Sequence, residues 1–304
     1  MRIKLPCKRS RLATISYLIL VLLLNAFTTV SQADTDRAVF WAIERDGKPA
    51  GFLLGTIHSE DPRVLEFSEG FLGKLRSNKM FAMEMVPDLP TLARLTEYMH
   101  YPKGKTLESV IGAERYSALV TALAVYKVPE DFISAMKPWA AMMTLSTPPP
   151  DTGFFMDLSL SLRASGSGLK VIGLETLEQQ LSFLEEMPMA MQLSLLDQAI
   201  AESGNVREAH DQMVDAYLEN NLVQLQVMSD EEFQSIGADE REYFFEAGIL
   251  KRNRRMLDTL LPYLENNSVF IAVGALHLPG DGGLLSLLRQ NGYELKPQDM
   301  PFVN

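Results

Sequence analysis

The sequence predicts an α/β fold: a mixed sheet with a parallel centre, an N-terminal β-hairpin, flanking helices and a helical insertion. Three observations predict it. Short apolar runs of strand length (Gly51–Gly55, Met80–Val86, Lys170–Leu174 and Val269–Val273) are separated by longer stretches of helical period. Asp46-Gly47 sits between Ala38–Arg45 and the run Gly51–Gly55, where a two-residue hairpin turn belongs. The remaining runs are too far apart for hairpins and need helical crossovers, which favours parallel pairing.

Taken in order, Ala38–Arg45 reads as the first strand and Gly51–Gly55 as its return, closed by Gly55-Thr56-Ile57-His58. Between Glu66 and Asn78, Phe67, Phe71, Leu72 and Leu75 recur at helical spacing. Met80–Val86 is a buried strand containing one carboxylate, Glu84, and Pro87 ends it. A helical insertion around 89–150 follows, restarted at Lys137-Pro138-Trp139 with proline in the first turn and ended by Pro148-Pro149-Pro150. A helix carrying Asp157 leads to the strand Lys170–Leu174, with Glu175 directly after it. Further helices run to Leu264, the last of them containing Arg252-Asn253-Arg254-Arg255. The closing strand Val269–Val273 ends in Gly274-Ala275-Leu276-His277, and Asp281 is the expected N-cap of a helix through Leu288, with Gly292 as its stop.

The N-terminus has a different character. Arg2, Lys4, Lys8, Arg9 and Arg11 precede an apolar stretch from Leu12 to Phe27, and Ser31-Gln32-Ala33 places small residues at a cleavage site. Residues 1–33 therefore read as a secretory signal peptide, or as a membrane anchor if uncleaved, with the α/β domain over 34–304. The expected location is exported, periplasmic or secreted, with membrane contact only through that segment if it is retained. Cleavage would remove five basic residues and no acid, taking the net charge from −11 to −16. It would also remove Cys7, the sole cysteine, and with it any disulfide or thiol nucleophile. So acidic a body repels phosphate backbones, so a nucleic-acid partner is not expected.

Four polar residues fall at or just after predicted strands: His58, Glu84, Glu175 and His277. If those strands are parallel, their carboxyl ends converge. Neighbouring strands lie about 5 Å apart, so side chains from two or three can meet around one ion or water. Imidazoles and carboxylates together suit a divalent metal that activates water, or a general base and acid acting directly. Glycine before each histidine, Gly55 and Gly274, permits a tight turn and close approach of substrate. Each residue also has a structural alternative. The histidines can pack in βα turns, Glu84 can pair with a buried arginine, Glu175 can favour the start of the next helix, and Asp157 can pair with Arg163. Thr56, Asp157, Arg252 and Asn253 are candidates for contacting substrate or supporting the site. His100 and His210 read as surface residues. Motifs for thermolysin-like zinc helices, serine-hydrolase elbows, P-loops and dinucleotide folds are absent from the sequence.

Taken together, several segments resemble the TraB/GumN family, related to the Tiki-type proteases. They are Leu54-Gly55-Thr56-Ile57-His58, Glu84, Lys137-Pro138-Trp139, Gly173-Leu174-Glu175-Thr176 with Gln180, Arg252-Asn253, and Val273-Gly274-Ala275-Leu276-His277-Leu278-Pro279-Gly280. The resemblance runs from about Val39 to Leu295. It implies an α/β core and a metal-dependent hydrolase site acting on a peptide or protein substrate. The implied cofactor is a divalent ion, manganese or cobalt, with zinc as a further candidate. By that resemblance His58, His277 and Glu84 are the expected metal ligands or catalytic residues. Two alternatives accompany it: a metal-free, esterase-like hydrolase of the same fold, and a non-catalytic peptide- or protein-binding protein.

Overall fold

The computed structural model describes residues 36–234, 237–266 and 268–303. The expected signal segment and Cys7 lie outside them. Arg37–Asn304 form one compact unit, built on a six-stranded sheet of order β4-β3-β5-β2-β1-β6. The strands are β1 (Phe40–Arg45), β2 (Lys48–Thr56), β3 (Met80–Met83), β4 (Lys170–Gly173), β5 (Val269–Gly274) and β6 (Glu294–Pro297). β4, β3, β5 and β2 run parallel, while β1 is antiparallel to both β2 and β6. The mixed sheet with a parallel centre is thus the one the sequence predicts. Among the described residues no helix is long and apolar enough to cross a membrane.

Asp46 and Gly47 both adopt positive φ, 52° and 71°, which matches the turn to the right-handed twist of β1 and β2. β5 is inserted between β2 and β3, so both its edges are paired, and Val269–Val273 is buried throughout, so both its faces are covered too. That explains its unbroken apolar run: a strand with helices on both faces has no solvent side to alternate toward. Each fully buried Val, Ile or Phe there contributes roughly 1.5–3 kcal/mol. Phe40, Phe71, Phe81 and Phe270 pack as neighbouring rings on this sheet. At Gly51 a Cβ would lie 2.0 Å from the Val269 carbonyl oxygen, so the β2–β5 contact needs glycine at that position.

A second apolar core lies in the helical lobe. It draws Leu107, Leu119, Trp139 and Leu145 from the insertion, together with Leu177, Leu184 and Leu196 from helices after β4. The insertion therefore packs on chain that follows it rather than closing on itself. Lys137-Pro138-Trp139 is its fastening. Pro138 opens the helix Pro138–Leu145, Lys137 pairs with Glu185 at 2.8 Å, and Trp139 Nε1 donates to the same carboxylate at 2.8 Å.

Two local expectations change. β3 stops at Met83, so Glu84 emerges at the strand's end instead of lying within it. The helix Leu284–Gln290 is capped at Gly283, not Asp281, because the Pro279–Gly282 loop folds back before the helix starts. Leu285 N–H is satisfied by the Leu278 carbonyl at 3.2 Å, in place of a side-chain cap.

Candidate active site

The strand register fixes where the polar residues go. Thr56 of β2 pairs with Gly274 of β5, and Met83 of β3 pairs with both Ala272 and Gly173. Past the assigned strands the β3–β4 ladder continues, with Leu174 N–H donating to Met83 O and Glu175 N–H to Glu84 O, both at 2.8 Å. The four residues expected at strand ends, His58, Glu84, Glu175 and His277, therefore all follow the carboxyl ends of parallel strands.

Around β5, β3 and β4 these residues form a buried ionic cluster. Arg252 Nη2 donates to Glu84 Oε2 and to Glu175 Oε2, each at 2.6 Å, and Arg252 Nε donates to Glu175 Oε2 at 2.8 Å. Gln180 Nε2 adds a 3.2 Å bond to Glu84 Oε2, and Gly274 N–H donates to Glu84 Oε1 at 2.8 Å. Glu84 thus emerges at a strand end and also pairs with a buried arginine. Glu175 is buried and tied to that same arginine; its Oε1 has no hydrogen-bond partner among the described residues.

His277 is held by Asn253, which is wholly buried. Asn253 Nδ2 donates to the carbonyls of Gly282 and His277 at 2.9 and 3.2 Å, so its Oδ1 is an acceptor facing His277 Nδ1 at 2.6 Å. Nδ1 must then carry the proton, leaving the Nε2 lone pair aimed at Glu84 Oε1 across 3.6 Å. Burial, helped by the charge of Arg252 and opposed by Glu84, lowers the His277 pKa to about 4. Burial alone would raise Glu84, but the pull of His277 and Arg252 and the Gly274 amide outweigh it, so its pKa is lowered. Burial raises Glu175, against the pull of Arg252. At neutral pH two acceptors, a neutral imidazole nitrogen and a carboxylate oxygen, face each other with no proton between them.

The β2 side carries a second group. Thr56 Oγ1 donates to Asp157 Oδ1 at 2.7 Å, and Asp157 Oδ2 lies 3.8 Å from His58 Nδ1. The His58 side chain is 59% exposed and stacks on Phe155, ring centroids 3.9 Å apart. Asp157 therefore faces His58, while Arg163 donates to Ser159 and sits over the Phe67 ring. Beneath β2, the buried Tyr217 hydroxyl donates to the Gly55 carbonyl at 2.7 Å.

Sequence reasoning missed three participants. His210, read as a surface residue, brings Nε2 to 3.3 Å from the His58 carbonyl. Phe155 gave no sequence signal. Glu60, two residues after His58, accepts from the backbone of Asp151, Thr152 and Gly153 and so pins the triple-proline segment beside His58. Its position in the His58 turn was the available clue. His100 bonds the Thr96 carbonyl in its own helix, away from these groups.

The donor chemistry can be tested against a divalent ion. Two ligand bonds near 2.1 Å at tetrahedral angles put donor atoms about 3.4 Å apart, close to the Nε2–Oε1 gap. Two carboxylates against one guanidinium also leave the cluster negative while both are ionised. His277 and Glu84 thus fit as two ligands of one cation. Among the described residues no group of three or more His, Cys, Asp or Glu side chains is gathered to hold a metal.

The architecture defines an α/β protein with a buried ionic centre at the carboxyl edge of its parallel strands. The chain belongs to the TraB/PrgY/gumN family, whose sequence profile matches residues 39–297. Among curated proteins it is similar to Metalloprotease TIKI2 of Xenopus tropicalis, 25% identical over 321 residues, covering 88% of this chain and 60% of that protein. Metalloprotease TIKI2 of Danio rerio is 22% identical over 344 residues, covering 90% and 64%. Metalloprotease TIKI1 of Danio rerio is 22% identical over 321 residues, covering 88% and 64%. This chain thus spans somewhat under two thirds of the relatives it matches. No solved structure matches it.

Proposed function

We propose that this protein is a metal-dependent peptidase, exported through its N-terminal segment. The observation that carries the reading is the facing pair of acceptors, His277 Nε2 and Glu84 Oε1, 3.6 Å apart with the tautomer set by Asn253. The likeness to metalloproteases supports it.

In this reading His277 and Glu84 hold a divalent cation, manganese, cobalt or zinc. Such an ion, when bound, polarises a peptide carbonyl and makes water a nucleophile near neutral pH. The chain's own groups do the rest. Arg252 and Gln180 occupy Glu84 Oε2, so only Oε1 is turned toward His277. Asn253 keeps the imidazole from rotating or taking the other tautomer. His58 joins from β2, either as a third ligand once its ring leaves Phe155, or as the base that accepts a proton with Asp157 behind it.

Elemental analysis and peptide cleavage on the purified protein test this. His277→Ala should lose both metal and turnover, and full activity in that variant would refute the reading. His58→Ala without metal marks a ligand, and His58→Ala with metal but no turnover marks the base. The Thr56–Asp157–His58 contacts favour one second reading, a metal-free hydrolase centred on His58. Activity that survives exhaustive chelation would select it.

A further inference from the structure

Beside the ionic cluster lies a cavity of about 630 Å³ that the proposed chemistry does not use. Its size is that of a small-ligand site. Phe183, Phe244, Phe245, Leu250 and Leu276 line it, and Arg252 stands in its wall. Phe245 is 52% and Leu276 36% exposed, large apolar side chains left open to water next to a polar centre.

The cavity and the cluster are built from the same elements. Phe244–Leu250 is a stretch of π-helix that runs directly into the helix Lys251–Asn266, which supplies Arg252 and Asn253. Wide π turns of this kind are rare and concentrate at functional sites. Phe183 lies three residues after Gln180 on the helix Leu177–Glu185, so one helix face meets both the cavity and Glu84. Tyr243 Oη donates to the Phe183 carbonyl at 2.6 Å, and Phe183 and Phe244 pack edge to face, which fixes that wall. Leu276 immediately precedes His277, and the Gly282 carbonyl that anchors Asn253 belongs to another lining residue.

The electrostatics select the occupant. Three Arg252 hydrogen bonds already go to Glu84 and Glu175, and Asp230, Glu242 and Asp281 outnumber Arg241 among the other charged lining residues. That balance disfavours an anionic ligand such as a fatty acid or phosphate, while the aromatic walls favour a neutral ring. We infer that this cavity receives a bulky apolar, preferably aromatic, side chain of a peptide whose backbone lies across the ionic cluster. The inference rests on the peptidase reading and gives it a substrate class.

Two blocked pentapeptides that differ only in a central Phe or Ser provide the test. Their binding is measured by calorimetry to the full chain under chelation and to its His277→Ala variant, so that the peptides stay intact. Ala238→Trp obstructs the cavity from an exposed lining position, and Phe245→Asp places a charge in it without touching the cluster. The Phe peptide should bind at least tenfold tighter than the Ser peptide, and each cavity variant should abolish that preference while leaving the circular dichroism spectrum unchanged. Equal binding of the two peptides, no binding of either, or a preference that survives both variants overturns the inference. A Phe preference in a protein whose cleavage needs neither metal nor His277 leaves the pocket standing and removes the metal-dependent reading. Metal-dependent cleavage with no such preference does the reverse.

Discussion

Replacing Arg252 with methionine removes the guanidinium that, among the described residues, bonds both the half-buried Glu84 and the buried Glu175, at 2.6 Å each. Methionine keeps much of the packing volume, so the loss is mainly electrostatic. Breaking a buried ion pair by deleting one partner costs about 3–5 kcal/mol, because the remaining charge has neither water nor counter-ion. Set against a typical stability of about 5–15 kcal/mol, that is a large fraction. The pH dependence follows from the carboxylates left behind. Without Arg252, burial lifts the folded pKa of Glu175, already raised, further above the unfolded range near 4.5, while Glu84 loses one of the groups that lower it. Groups shifted upward stabilise the fold fully below that range and lose the contribution as pH rises through the folded values. The penalty in Arg252→Met is therefore largest at pH 7 and smaller at pH 5. Adding Glu175→Gln should recover part of it, since one buried charge goes. Urea unfolding of the chelated protein at both pH values measures this. A loss under about 1 kcal/mol at pH 7, or an equal loss at pH 5, would refute the reasoning.

Three further predictions follow from the same site. Asn253→Ala frees His277 to take either tautomer and should weaken manganese or zinc binding about 10–100-fold, read by competition with a chromophoric chelator; unchanged affinity would mean the tautomer is not set there. Gly274→Ala places a Cβ 3.2 Å from Glu84 Oε1 and 3.6 Å from His277 Cδ2, so Glu84 must shift, and metal affinity should fall with a stability loss of about 1–3 kcal/mol. Burial raises the Glu60 pKa, but the amides of Thr152, Gly153 and Asp151 hold it below its ordinary value, so the segment 151–153 is stabilised above about pH 4.5 and released as pH falls through the lowered value. Glu60→Gln should then speed hydrogen exchange at residues 151–153 at neutral pH, and unchanged exchange would show that the carboxylate does not hold the segment.

Much of this fold was legible because its signals are local. Asp46-Gly47 names its own turn, and the unbroken apolar run of β5 announces a strand covered on both faces. What was not legible depends on contacts distant in the chain. Nothing in Val269–Val273 says that β5 slots between β2 and β3, and nothing in the insertion says that its core is completed by Leu177–Leu196. The error at Asp281 is of the same kind. Its cap propensity was read correctly, but the Gly282 carbonyl is engaged by Asn253, and the loop closes before the helix begins.

The site divides in the same way. Strand ends could be read, so Glu84, Glu175 and His277 were named as candidates, but their partners could not be placed: Arg252 lies 168 residues from Glu84. The Gly-x-x-His pattern has a meaning the sequence suggested only in part. Gly274 has φ −51°, which any residue adopts, so its glycine is not there for turn freedom. The Glu84 carboxylate oxygen lies 3.2 Å from where a Cβ would stand, while the Gly274 N–H donates to that same oxygen. Glycine therefore clears space for a carboxylate from the neighbouring strand and bonds it in place, three residues before the histidine that faces it. Gly55 meets a related constraint from the turn after β5, since its Cβ would lie 3.0 Å from the Ala275 Cα. Both glycines thus clear room at the carboxyl ends of adjacent parallel strands, and in each case a histidine follows three residues later.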